Sequence, residues 1–147
     1  MYRRILLPTD GSPGTERAVD HALDLAERYD AALHVLYVVD TNALPLDARA
    51  EHVFEYLTEE GLLAEEQIVE RAEDRGVETV VSGVREGSPH EVILEYVEDN
   101  DIDLVVMGTH GRRGLDRYLL GSVTERVVRT ADVPVLTVRT SGPPEGD

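Results

Sequence analysis

Two hydrophobic rhythms alternate along the chain. Short unbroken runs rich in Val, Ile and Leu occupy 5–8, 32–39, 78–84, 104–108 and 133–138, with the length and β-branched content of strands. Between them the apolar residues recur every three or four positions, as on one face of a helix. Ser12 or Pro13 opens a first helix, with Ala18, Ala22, Leu25 and Ala26 on one face and Asp20, Asp24 and Glu27 elsewhere. A second helix spans 50–75, carrying Val53, Leu57, Leu63 and Ile68, and Gly76 ends it. Gly61 lies inside that helix and counts against its continuity. Ser88-Pro89 opens a third, an N-cap followed by proline at the first helical position, which turns Val92, Ile93, Tyr96 and Val97 inward. A fourth covers 122–130, with Val123, Val127 and Val128 on its inner side.

Strands that alternate strictly with helices predict an α/β fold, a doubly wound, Rossmann-like parallel sheet of five strands with helices on both faces. Pro134 lacks the N–H that a central strand needs, so the last strand, bounded by Val133 and Val138, is read as an edge. An exposed apolar edge invites pairing with a second copy of the chain, and a homodimer is expected. Residues 1–139 read as one domain, 41–49 as a loop and 140–147 as a disordered tail.

Composition narrows the chemistry. The 147 residues carry 30 acids against 14 bases, a net charge of −16, and every base is Arg. Without Lys there is no Walker-type P-loop, no Schiff base and no Lys general base. With no Cys there is no disulfide, thiolate nucleophile or Cys-ligated metal. So negative a field repels phosphate backbones and anionic headgroups, which excludes a general nucleic-acid or membrane-surface binder. Acid excess without Lys is the expected mark of a halophilic chain, in which concentrated salt screens self-repulsion. No apolar run approaches the roughly 20 residues that span a bilayer, and the opening MYRRILLPTDGS enters a strand without a signal-like apolar region. The cytoplasm is the expected location.

In an open α/β sheet a ligand sits beyond the carboxyl ends of the strands, where the winding reverses. Two common layouts set strand 1 beside strand 3 or strand 4 there, and the loops choose strand 4, hence the order 3-2-1-4-5. After strand 1 comes Pro8-Thr9-Asp10-Gly11-Ser12, a tight turn with one carboxylate. After strand 4 come Gly108, Gly111 and Gly114, which allow close backbone approach, then Gly121 opening a helix whose first N–H groups suit phosphate. Ser122 and Thr124 add hydroxyls, and Arg112, Arg113 and Arg117 reverse the local sign of charge.

These residues resemble the universal stress protein family. The nucleotide-binding branch of that family carries Gly, two residues, Gly, nine residues, Gly, then Ser or Thr, which reads here Gly108-x2-Gly111-x9-Gly121-Ser122. Pro8-Thr9-Asp10, Gly87-Ser88-Pro89, LLGSVTERVV and the closing PVLTV also match, over residues 1–139. The resemblance implies an adenine nucleotide, ATP with AMP and ADP as alternatives, carrying Mg2+ or Mn2+. It implies that Asp10 holds the ribose, the backbone near Val38 meets adenine, Gly108 borders the ribose, and Gly111, Gly121, Ser122 and Val123 cradle phosphates. Pro8, Thr9, His110 and Thr124 complete the candidate set. It also implies a dimer joined through the last strand.

Each feature has a plainer reading. Asp10 suits an Asx turn, Ser122 a helix cap, and His110 a loop residue with no carboxylate near it in sequence to orient it. His21, His34, His52 and His90 lack metal-ligand spacing, and the pairs Glu59-Glu60, Glu65-Glu66 and Glu73-Asp74 read as a solvated helix face. Asp99, Asp101 and Asp103 alternate like the start of a calcium loop but lack its Gly and distal Glu. The expected function is a nucleotide-dependent regulatory protein of the stress response, with no catalytic residue assigned. A slow ATPase or phosphotransferase, or a ligand-free dimerisation module, are the alternatives.

Overall fold

The computed structural model describes residues 1–10, 15–47, 49–109 and 120–139. The elements run β1 (Arg4–Thr9), α1 (Glu16–Tyr29), β2 (Ala32–Asp40), a short 3-10 turn (Thr41–Ala43), α2 (Ala50–Asp74), β3 (Val80–Gly87), α3 (Pro89–Asp99), β4 (Leu104–Gly108), α4 (Ser122–Thr130) and β5 (Val135–Val138). All strand pairs are parallel, in the order β3-β2-β1-β4-β5. This is the doubly wound α/β sheet expected, with β5 at one edge.

Two apolar layers sandwich the sheet. Ile5, Leu7, Leu33, Val35, Leu104 and Val106 meet Ala18, Val19, Ala22 and Leu23 of α1 and Ile68 and Ala72 of α2 on one face. The alternate residues Leu6, Leu36, Val105 and Met107 meet Ile93, Tyr96 and Val97 of α3 and Val127 of α4 on the other. Both rows of β1, β2 and β4 are buried, so their strands read as continuous apolar runs rather than alternating ones. Among the described residues no helix is long and apolar enough to cross a membrane.

The helix ends explain several isolated residues. Gly76 takes φ +85°, and the Gly76 and Val77 N–H groups bond back to Glu73 and Ala72 at 3.0 Å each, a Schellman stop for α2. Asp30 and Asp101 fill left-handed positions after α1 and α3. Asp103 accepts from the Arg3 and Arg4 N–H groups at 2.8 and 3.3 Å and so serves the sheet's rim.

Some boundaries and orientations differ from the sequence reading. β3 starts two residues later and ends three later than expected, because it follows β2 in register to Asp40↔Gly87. β5 begins at Val135, after Pro134, whose carbonyl still accepts from Val105 N–H at 3.0 Å. α1 begins at Glu16, and Ser12 and Pro13 lie outside the described residues, as does the tail 140–147. α2 runs unbroken through Gly61, while Leu63 is 62% exposed. Val128, expected inward, is 43% exposed, since the short α4 buries Thr124 and Val127 instead. Ser88 occupies the N-cap of α3 but makes no capping bond; its Oγ lies 3.4 Å from His90 Nδ1.

Candidate functional site

The winding reverses between β1 and β4, and their ladder is incomplete. Pairing covers only Ile5↔Leu104 and Leu6↔Val105. Arg3 turns its carbonyl to β2 and Arg4 to β4, so alternate residues 4, 6 and 8 turn their backbone groups toward β4. At the third of these stands Pro8, which has no N–H to give, and there the ladder stops. Proline thus keeps the carboxyl ends of the two strands from closing on each other.

The first turn of α4 is pinned to that opening. Gly121 N–H donates to the Thr109 carbonyl at 2.7 Å, and the buried Thr124 hydroxyl donates to the Gly108 carbonyl at 2.8 Å. Thr109 N–H in turn donates to Val138 O at 2.8 Å, which ties the end of β4 to β5. Gly121 is the N-cap and has no side chain to cap with. The first intrahelical bond is Glu125 N–H to Gly121 O at 2.9 Å, so helix geometry gives the Ser122, Val123 and Thr124 N–H groups no intrahelical acceptor. Oriented donors at the positive end of a helix dipole suit an anion. Ser122 is exposed beside them, whereas the Thr124 proton is already given to Gly108.

On the other side of the opening, Thr9 ends β1 and Asp10 follows it, half-buried. Thr9 Oγ1 lies 3.3 Å from Thr15 Oγ1, which ties the strand end to the N-cap of α1. Thr9 stands beside Tyr37 in register, so Val38 lies one residue beyond the end of β1, and its backbone groups turn to the β1 side. The expected residues Pro8, Thr9, Asp10, Val38, Gly108, Gly121, Ser122, Val123 and Thr124 therefore come from three strand ends and one helix start around a single opening. His110 and Gly111, with Arg112, Arg113, Gly114 and Arg117, lie outside the described residues.

A cavity of about 380 Å³ lies between α1 and α2, lined by Thr9, Thr15, Glu16, Val19, Ala64, Gln67, Ile68 and Arg71. It adjoins the opening only through Thr9, whose side chain shares the α1–α2 face with Ile5 and Leu7. Among the described residues no group of three or more His, Asp or Glu side chains is placed to hold a metal ion.

Two buried polar groups stand apart from this site. His34 is 8% exposed, and its Nδ1 lies 2.6 Å from the Tyr96 hydroxyl; burial, with the Arg4 charge, lowers its pKa. Arg85 covers the Tyr96 ring at 5.7 Å. Glu65, expected on a solvated face, is 3% exposed and faces the sheet in the stripe Gly61, Glu65, Ile68 and Ala72. That spacing of four, three and four is the signal in the sequence that marks the inner face of α2.

The family model for the universal stress protein family matches residues 1–139. The chain belongs to this family. Universal stress protein MJ0531 of Methanocaldococcus jannaschii is 42% identical over 142 residues, covering 95% of this chain and 83% of the relative. The solved structure of hypothetical protein MJ0577 superposes with a TM-score of 0.84 at 34% identity, over 97% of this chain and 99% of that one. A universal stress protein solved in complex with cAMP superposes with a TM-score of 0.71 at 27% identity, over 95% and 98%.

Proposed function

We propose that the chain is a cytoplasmic, nucleotide-dependent regulatory protein of the stress response. In this reading a single domain over 1–139 binds an adenine nucleotide, ATP carrying Mg2+ or Mn2+, in the opening between β1 and β4. The observation that carries the reading is the uncapped first turn of α4, held over a gap that Pro8 keeps open. Asp10 takes the ribose hydroxyls, the Val38 backbone meets the adenine edge, and Gly108 leaves room for the ribose. The N–H groups of Ser122 and Val123, with Gly121, Gly111 and the Ser122 hydroxyl, hold the phosphates. Pro8, Thr9 and Thr124 shape and position the site, and His110 completes the candidate set. The cAMP complex of a 27% identical family member supports the choice of an adenine nucleotide. The short parallel edge strand β5 supports assembly as a homodimer through 133–138.

Calorimetric titration with Mg-ATP tests the site. The wild type is expected to bind, and Gly121→Val combined with Ser122→Ala to abolish binding while the melting curve stays cooperative. Binding that survives both substitutions refutes the site.

A further inference from the structure

Glu65 lies in α2 above the last two strands on its side of the sheet. Only 3% of it is exposed, and its Oε1 has no hydrogen-bond partner. One turn earlier, Gly61 rests directly on the buried Tyr37 ring: a Cβ at position 61 would fall 2.5 Å from Tyr37 Cδ1. One and two turns later, Ile68 and Ala72 sit in the apolar core. Before Gly61 the helix is poorly anchored, since none of residues 50–60 is buried. Glu65 therefore stands where the firmly packed second half of α2 gives way to a first half held by Gly61 and by the half-buried Val53, Phe54 and Leu57.

We infer that Glu65 is a proton-operated latch: its protonated carboxyl keeps the first half of α2 seated on β2 and β3, and release of that proton to solvent unseats it.

An ionised carboxylate buried with one oxygen unpartnered is costly, and lifting a weakly anchored helical segment rehydrates it without unfolding the core. Burial accordingly raises the Glu65 pKa to about 7. Opposing this are hydrogen bonding from the Gly83 backbone, the Ser82 side chain and the Tyr37 backbone, and the positive charge of Arg85. Across the sheet edge, the Tyr96 phenol of α3 feels both the Glu65 and Arg85 charges. A carboxyl whose folded-state pKa stands above its unfolded value of 4.5 adds stability that is complete below pH 4.5 and is lost as pH rises through 7. Near neutrality both forms of the latch are populated.

The latch also reaches the candidate site. Tyr37, clamped under Gly61, stands beside Thr9 in register and directly precedes Val38. Unseating α2 loosens that strand end, and this second step rests on the nucleotide reading above.

Amide hydrogen exchange of the full chain, expressed as protection factors at about pH 5.5 and about pH 8.5, tests the latch. Protection over 50–64 is expected to fall about tenfold or more at the higher pH while 68–74 holds. Glu65→Gln, a neutral isostere, should keep 50–64 protected at both values. Equal wild-type protection at the two pH values, or a Gln variant that follows the wild type, overturns the inference. Should that variant not fold, Glu65→Met supplies the neutral arm. In the wild type the loss of protection must also coincide with the carboxyl titration of Glu65 followed by carbon NMR, and a midpoint elsewhere overturns it too. Mg-ATP titrations at the same pH values test the second step. Affinity about threefold or more weaker at high pH in the wild type, and pH-invariant in the Gln variant, supports it. The same pH dependence in both overturns it. Absence of ATP binding at either pH refutes the nucleotide reading instead, and the exchange result then decides the latch alone.

Discussion

At the scale of single residues, two positions gain meaning from what lies across the core rather than from their neighbours in sequence. Gly61 counts against a helix by its intrinsic propensity, by about 1 kcal/mol relative to Ala. The fold demands it, because the Tyr37 ring is 2% exposed and occupies the space a side chain would need. Gly61→Ala is expected to lose stability: overpacking a rigid core costs about 1–3 kcal/mol and outweighs the propensity gain. Urea unfolding checks the sign, and a more stable variant would mean that the helix can shift off Tyr37 freely. Thr124 is the second case. Its hydroxyl was readable as a phosphate ligand, but it donates to Gly108 and fastens α4 to β4.

At the scale of elements, Pro8 within β1 and Pro134 just before β5 act by the donor they lack. Pro8 ends the β1–β4 ladder and so leaves a gap at the reversal of winding. Pro134 precedes β5; its carbonyl faces β4, so its missing N–H falls on that side too, and the β4–β5 ladder starts one residue later, at Val135. The carbonyls of Pro134, just before β5, and of Val138, at its end, serve β4, so the backbone groups of Thr137 point outward. Thr137→Pro should therefore block pairing of β5 with a second copy while leaving the β4–β5 ladder intact. Sedimentation velocity is expected to find a dimer for the wild type and a monomer for the variant; an unchanged dimer would move the interface elsewhere.

At the scale of the whole molecule, the net charge of −16 acts on stability more than any one ion pair. Arg71 of α2 and Arg75 at its C-cap face four carboxylates of α1: Arg71 meets Glu16 and Asp20, and Arg75 meets Asp24 and Glu27. These groups are all partly solvent-exposed, and such pairs are worth about 0–1 kcal/mol each. The surplus of acids leaves repulsion as the larger long-range effect. Raising KCl from about 0.1 to about 1 M, where the Debye length shrinks from roughly 10 to 3 Å, should raise the melting temperature. A melting temperature that falls with KCl would mean that the α1–α2 pairs outweigh the repulsion.

The sequence by itself determined the elements and their winding. Strand and helix periodicities, the stop at Gly76, and the glycine spacing from 108 to 121 are local signals, set by backbone geometry within a few residues. The places of the candidate residues Asp10, Gly108 and Gly121 were legible for the same reason, as turn, strand end and helix start each leave a short-range mark. What only the tertiary structure decided is which of several equivalent positions meets the core. Glu65 and Glu66 are neighbours with the same side chain, yet Glu65 falls on the stripe that Gly61, Ile68 and Ala72 press against the sheet and Glu66 falls outside it. Val127 and Val128 divide the same way, one fully buried and one 43% exposed. The partner surface that makes each choice comes from strands distant in sequence, and no local pattern carries its position.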